Sequence, residues 1–126
     1  MKQQIKNRKT HKIIYECEAD SVKKAVEKAV KEKVSLAYAN LFCVDLHNAD
    51  LNFADLHDAN LCGADLIGSD LIDSDLRYAD LSGSDLSEAN LYGSDLRFTD
   101  LNDAYLIGSN LTNCKISNSI KFAILR

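Results

Sequence analysis

No stretch of this chain approaches the roughly 20 consecutive apolar residues that a bilayer-spanning helix needs, so a membrane helix is excluded. Nor does an apolar segment follow the basic N-terminus MKQQIKNRKTHK; a secretory signal is not expected, and a cytoplasmic location is. No C-x-x-C spacing occurs. Cys17, Cys43, Cys62 and Cys114 are scattered with no histidine at metal-site intervals, so free thiols and no metal site are expected. Neither a nucleophile-and-base motif nor a glycine-rich phosphate loop is present, and His11, His47 and His57 are isolated in sequence. These gaps speak against an enzyme and imply no cofactor. Positive charge is scarce where the chain is longest: residues 34–118 hold three Lys/Arg against fourteen Asp/Glu, a net −11. Residues 1–33 carry ten against five, a net +5, and residues 119–126 add Lys121 and Arg126. A basic arm precedes an acidic body, and the body would oppose approach to phosphate, so direct nucleic-acid binding is not expected.

What the chain has in abundance is leucine at a fixed interval. Leucine stands at Leu36, Leu41, Leu46 and every fifth position through Leu111, sixteen in a row, and Ile116 continues the register. Two residues earlier stands a small or modest residue (Ala39, Val44, Ala49, Ala54), and directly before most leucines an Asp or Asn, giving the unit A-[DN]-L-x-x. On an α-helix a step of five turns roughly 500°, which scatters the leucines around the axis. On a continuous strand an odd spacing throws them onto alternate faces. What remains is a short extended piece, with the small residue and leucine pointing inward and the Asp/Asn outward, followed by a corner. All five glycines lie two residues after a leucine, where a turn needing positive φ would place them.

This unit resembles that of the pentapeptide-repeat proteins, over about 85 of the 126 residues and without insertion. The resemblance implies an all-β solenoid over residues 34–118: a right-handed quadrilateral β-helix of about four coils, four pentapeptides to a coil, stacked ~4.8 Å apart. Each coil is too thin to bury its own leucines, so stacking must do it, at roughly 1.5–3 kcal/mol per buried side chain. The two open ends then need caps. Lys12–Cys17 reads as a strand, and 19–33 as a helix with Val22, Ala25, Val26, Ala29 and Val30 on one face, capped by Asp20 or Ser21; residues 12–33 are the expected N-terminal cap. Residues 1–11 read as a loose basic tail. At the far end Ile120, Phe122, Ile124 and Leu125 alternate in 119–126, so this segment either folds over the last coil or meets its twin in a head-to-head homodimer.

Folding the repeat by twenty exposes two candidate surfaces. On one side Tyr38, His57, Arg77, Tyr78, Arg97 and Phe98 stack outward, arginine and aromatics together, the residue types enriched at protein interfaces. The alternative reading of this side is an external stabilising ladder whose arginines screen Asp75 and Asp95. The aspartates form columns, Asp45, Asp65 and Asp85 in one and Asp55, Asp75 and Asp95 in another. Side chains of this type commonly bond nearby backbone at turns. Some family members act on DNA gyrase as DNA mimics and protect it from quinolones, so the resemblance implies a second reading of the columns as an acidic imitation of nucleic acid. This chain has fewer coils, no loop insertions and an added basic arm. Three functions therefore stand at the level of sequence: a non-enzymatic interaction or scaffold protein whose partner no motif names, a DNA-mimicking regulator of gyrase or topoisomerase, and, behind both, a cation-binding role for the aspartate columns.

Overall fold

The computed structural model of the chain describes residues 1–117. Two strands, β1 (Lys2–Lys6) and β2 (Ile13–Glu18), pair antiparallel and lead into one helix, α1 (Val22–Lys31). From residue 36 to residue 117 the described chain is built from the pentapeptide.

Each repeat makes one bend. The leucine carbonyl accepts from the amide of the small residue three positions on, as Leu36 does from Ala39 (3.0 Å) and Leu76 from Ala79 (3.0 Å). The second residue after every leucine, from Tyr38 to Asn113, has a φ between +53° and +72°, the mark of a type II turn. Only five of these positions are glycine; the other eleven hold larger residues, among them Tyr38, Phe53, Tyr78 and Phe98. The turn is thus imposed by coil stacking and tolerated by side chains that ordinarily avoid this conformation.

Parallel bridges join residues twenty apart, Asn40 to Asn60, Asp45 to Asp65 and onward to Asp95 with Lys115, so four bends make one coil. Between coils the leucine amide donates to the carbonyl nineteen positions ahead, as Leu56 does to Asp75 (2.9 Å), and the Asp amide donates back, as Asp75 does to Ala54 (2.9 Å). Leu36 through Leu96 are at most 1% exposed, and the small residues before them share the interior. Five buried small positions hold hydroxyl residues, Ser69, Ser74, Ser84, Ser94 and Thr99. Ser84 and Thr99 each donate to a backbone carbonyl at 2.7 Å, whereas the Ser69 and Ser74 hydroxyls are buried without a partner. The architecture is a β-helix solenoid.

The helix buries Ala25, Val26 and Ala29 of its apolar stripe. Ser21 is the N-cap, accepting from the Lys24 amide at 3.1 Å. The C-terminal end is a Schellman motif: the Lys33 amide reaches Val30 and the Val34 amide reaches Ala29, with Lys33 at φ +61° where glycine is usual. The helix starts three residues later than the stripe suggests, because Ala19 and Asp20 lie ahead of the cap.

The expectation of a loose tail over residues 1–11 is overturned. Residues 2–6 are a strand, and Ile5 is 2% exposed in the core. The hairpin bend is held by Asn7, whose side chain accepts from the Lys9 and Thr10 amides (2.8 and 3.1 Å). The hairpin then completes the open edge of the first coil: the Asn40 amide donates to Lys6 O (2.8 Å) and the Arg8 amide to Tyr38 O (2.7 Å). One buried isoleucine and a row of backbone bonds order this arm, and backbone bonding leaves little trace in a polar sequence. The expected C-terminal cap or dimer segment, Ile120, Phe122, Ile124 and Leu125, lies outside the described residues.

Candidate protein-interaction face

The bend that follows each leucine turns the next two side chains outward, so stacked coils set them in columns. In one column Arg77 lies below Arg97, and Tyr78 below Phe98. The Tyr78 and Phe98 rings stack at 5.0 Å between centroids and 13° between planes, yet remain 56% and 52% exposed. Each arginine folds back onto the aspartate two residues before it. The Arg77 Nε and terminal nitrogen donate to both Asp75 oxygens (2.9 and 2.7 Å), and Arg97 repeats this on Asp95. Arg77 also reaches Asp95 at 3.8 Å, linking the two coils. These hydrogen bonds hold the Asp75 and Asp95 carboxyls below the usual carboxylate range, against partial burial that pushes the other way, and raise both guanidinium groups. The result is a zipped ionic ladder beside an open aromatic pair.

The lower part of the same side is engaged differently. Tyr38 meets His57 edge-on at 5.7 Å, and the Lys9 ammonium lies 5.3 Å from the Tyr38 ring centre. Arg8 donates to the Asp58 carbonyl (3.1 Å), and His57 Nδ1 contacts Asp58 Oδ2 at 3.0 Å. The hairpin bend therefore sits over Tyr38 and Asp58, and the side divides into a covered half and an open half. That division depends on the arm being ordered.

The aspartate columns are present as registered, Asp45 with Asp65 and Asp85, Asp55 with Asp75 and Asp95. In each of these six, one carboxylate oxygen accepts from the amide two residues on, for instance Asp65 from Ile67 (3.0 Å) and Asp85 from Ser87 (3.0 Å). Asparagine does the same at Asn60 and Asn90, which explains why the two residues interchange in the repeat. Asp70 departs from the pattern. The Ile72 amide goes instead to Asn52, and Asp70 Oδ1 is buried without a partner.

A groove of about 960 Å³ runs between α1 and the coil wall, lined by Glu27, Val30, Lys31, Val34, Phe53 and Asp55 among others. No motif announces it, since it arises where the helix lies against the coil. It contains neither histidine nor cysteine. Among the described residues one group of three side chains, Asp45, His47 and Asp65, is placed to hold a metal ion. All four cysteines are free thiols, and no helix is long and apolar enough to cross a membrane.

A coil of five-residue bends, with leucine ladders inside and side-chain columns outside, defines a repeat solenoid. The Pentapeptide repeats family matches residues 39–77, 54–93 and 79–118, in eight copies, and the chain belongs to that family. Among solved structures it is similar to a pentapeptide repeat protein of the Arabidopsis thaliana thylakoid lumen, at 27% identity over 71% of this chain and 58% of that one, TM-score 0.45. It is similar to one from the cyanobacterium Cyanothece at 30% identity over 70% and 60%, TM-score 0.37. A third is QnrB1, a plasmid-mediated fluoroquinolone resistance protein, at 30% identity over 67% of this chain and 37% of that one, TM-score 0.45. The chain thus spans less than two thirds of the length of each. No curated protein is a match.

Proposed function

We propose that this chain is a non-enzymatic protein-binding module, a right-handed four-sided coil of about four turns that docks a protein partner on the open half of its arginine-aromatic side. The observation that carries this reading is the Tyr78–Phe98 pair, stacked and half exposed. Stacking fixes both rings before a partner arrives, so little side-chain entropy is lost on docking. Arg77 and Arg97 act as a polar rim: their donors already meet Asp75 and Asp95, which favours shape and apolar contact over new ion pairs. Tyr38 and His57 lie under the hairpin bend and belong to the fold more than to the docking surface.

The test is capture of a partner by the immobilised protein, comparing Phe98→Ala with the unaltered chain. Loss of capture at an unchanged melting temperature supports the reading; loss of melting temperature with capture intact makes the pair a structural ladder and refutes it.

The acidic columns favour a second reading, a DNA mimic acting on gyrase, through the net −11 of residues 34–118. Against it, every aspartate of the two columns commits one oxygen to backbone, and Asp75 and Asp95 are neutralised by arginine. A supercoiling assay titrated with the protein decides: inhibition within tens of micromolar, a generous ceiling for a specific complex, would favour mimicry, and its absence the aromatic face.

A further inference from the structure

The side of the coil that carries Asp45 and Asp65 differs from the side that carries Asp75 and Asp95. Both pairs are held one coil apart by parallel bridges, which forces carboxylates together at the interstrand spacing of ~4.8 Å. On the Asp75 side two arginines compensate the repulsion. On the Asp45 side, among the described residues, neither Asp45 nor Asp65 has a lysine or arginine at ion-pair distance; the one basic group in contact is the His47 imidazole, against Asp45. Lys23 on α1 contributes only a field that helps hold the Asp45 carboxyl low, behind the His47 hydrogen bond. Asp65 uses Oδ1 on the Ile67 amide, so its second oxygen is available. One ligand atom from each of Asp45, His47 and Asp65 lies within 4.8 Å of the other two.

We propose that Asp45, His47 and Asp65 form a binding site for a divalent transition-metal ion, with zinc the best match. One imidazole nitrogen and two carboxylate oxygens are a mixed donor set. Zinc binds these donors at ~2.0–2.2 Å and completes a tetrahedron with water, so the three side chains need only small rotamer shifts. Calcium asks for six or more oxygens, and magnesium for a regular octahedron; three donors including a nitrogen suit neither. The cation takes the place that Arg77 and Arg97 hold on the other side, neutralising the stacked pair. Sequence spacing conceals the site because it shows only Asp-x-His, while the third ligand comes from twenty residues ahead, one coil up.

The experiment is calorimetric titration of the full chain with zinc, beside His47→Ala, Asp65→Asn and, as a control, His57→Ala. The variants fold for reasons visible in the repeat: alanine already occupies the position equivalent to 47 at Ala37, and asparagine the position equivalent to 65 at Asn40, Asn60 and Asn90. A single zinc should bind the unaltered protein and His57→Ala alike, and at least about tenfold more weakly (1.4 kcal/mol) to each of the other two. Cobalt in place of zinc should give ligand-field bands without a thiolate charge-transfer band. Zinc binding that survives His47→Ala, a cobalt spectrum dominated by thiolate, or no binding at all would overturn the proposal; the last two would place the metal on cysteine or nowhere.

Discussion

At the scale of single residues, the repeat tolerates variation outside and punishes it inside. Leu76 is fully buried, so Leu76→Ala should cost about 2–5 kcal/mol, read from denaturant unfolding. The orphaned hydroxyl of Ser74 invites the opposite result. Alanine is the commonest residue at its repeat position, and Ser74→Ala should raise stability by about 1 kcal/mol. Ser84→Ala, which loses a hydrogen bond to the Leu81 carbonyl, should not. Glycine corners divide in the same way. Alanine at Gly83 or Gly93 suffers the left-handed φ, at about 1–2 kcal/mol. Only at Gly93 would the new methyl also meet the Asp73 carboxylate, while the space around Gly83 is open. Gly93→Ala should therefore be the more destabilising of the two. The glycines marked the corners in the sequence, but they are the minority of corners. What the sequence did not reveal is that Phe53, Tyr78 and Phe98 adopt the same φ, because the bend is set by ladder bonds between coils and not by local preference.

At the scale of elements, the leucine register was sufficient to read an extended piece and a corner in each repeat, since a period of five is incompatible with helix and flat strand; closing four corners into one coil was what the resemblance to the pentapeptide-repeat proteins implied. The helix was readable from its stripe and its serine cap. The β1–β2 hairpin was not, because four of the five residues of β1 are polar and its hydrogen bonds to Asn40 and Tyr38 are made by backbone. Ile5→Ala should consequently destabilise the protein by about 2–5 kcal/mol, where a loose tail would show no change; thermal or denaturant melting checks it. The candidate face shows the same asymmetry. Its columns followed from the fold by twenty, but the covering of Tyr38 by Lys9 depends on an ordered arm that the composition hides. The ionic ladder makes a prediction of its own. The Asp75 and Asp95 carboxyls titrate lower in the folded state than in the unfolded chain. Their contribution is therefore full above the unfolded value of about 4 and disappears as the pH falls through the folded values. Arg97→Ala should lower the melting temperature at neutral pH and converge on the unaltered protein once both aspartates are protonated.

At the scale of the whole molecule, the rod is finished at one end by a hairpin and a helix. At the other, among the described residues, the inter-coil ladder ends with the Leu96 amide on Lys115 (2.8 Å), and Leu111 and Ile116 are exposed. Exposed apolar side chains of this kind favour association, and light scattering at micromolar concentration would show a dimer mass if two such ends meet. Around the rod, surface chemistry changes with each corner: arginine and aromatics on one, acid with histidine on another. The claim at the centre of this account is that the Tyr78–Phe98 corner is where a partner docks. Its most direct test is site-specific photo-cross-linking, with a photoreactive phenylalanine analogue at Phe98 and, two corners away, at Ile107, which is equally exposed at 54% against 52%. The account predicts a covalent adduct with another protein from position 98 and none from position 107; adducts from both in equal yield, or from 107 alone, would contradict it.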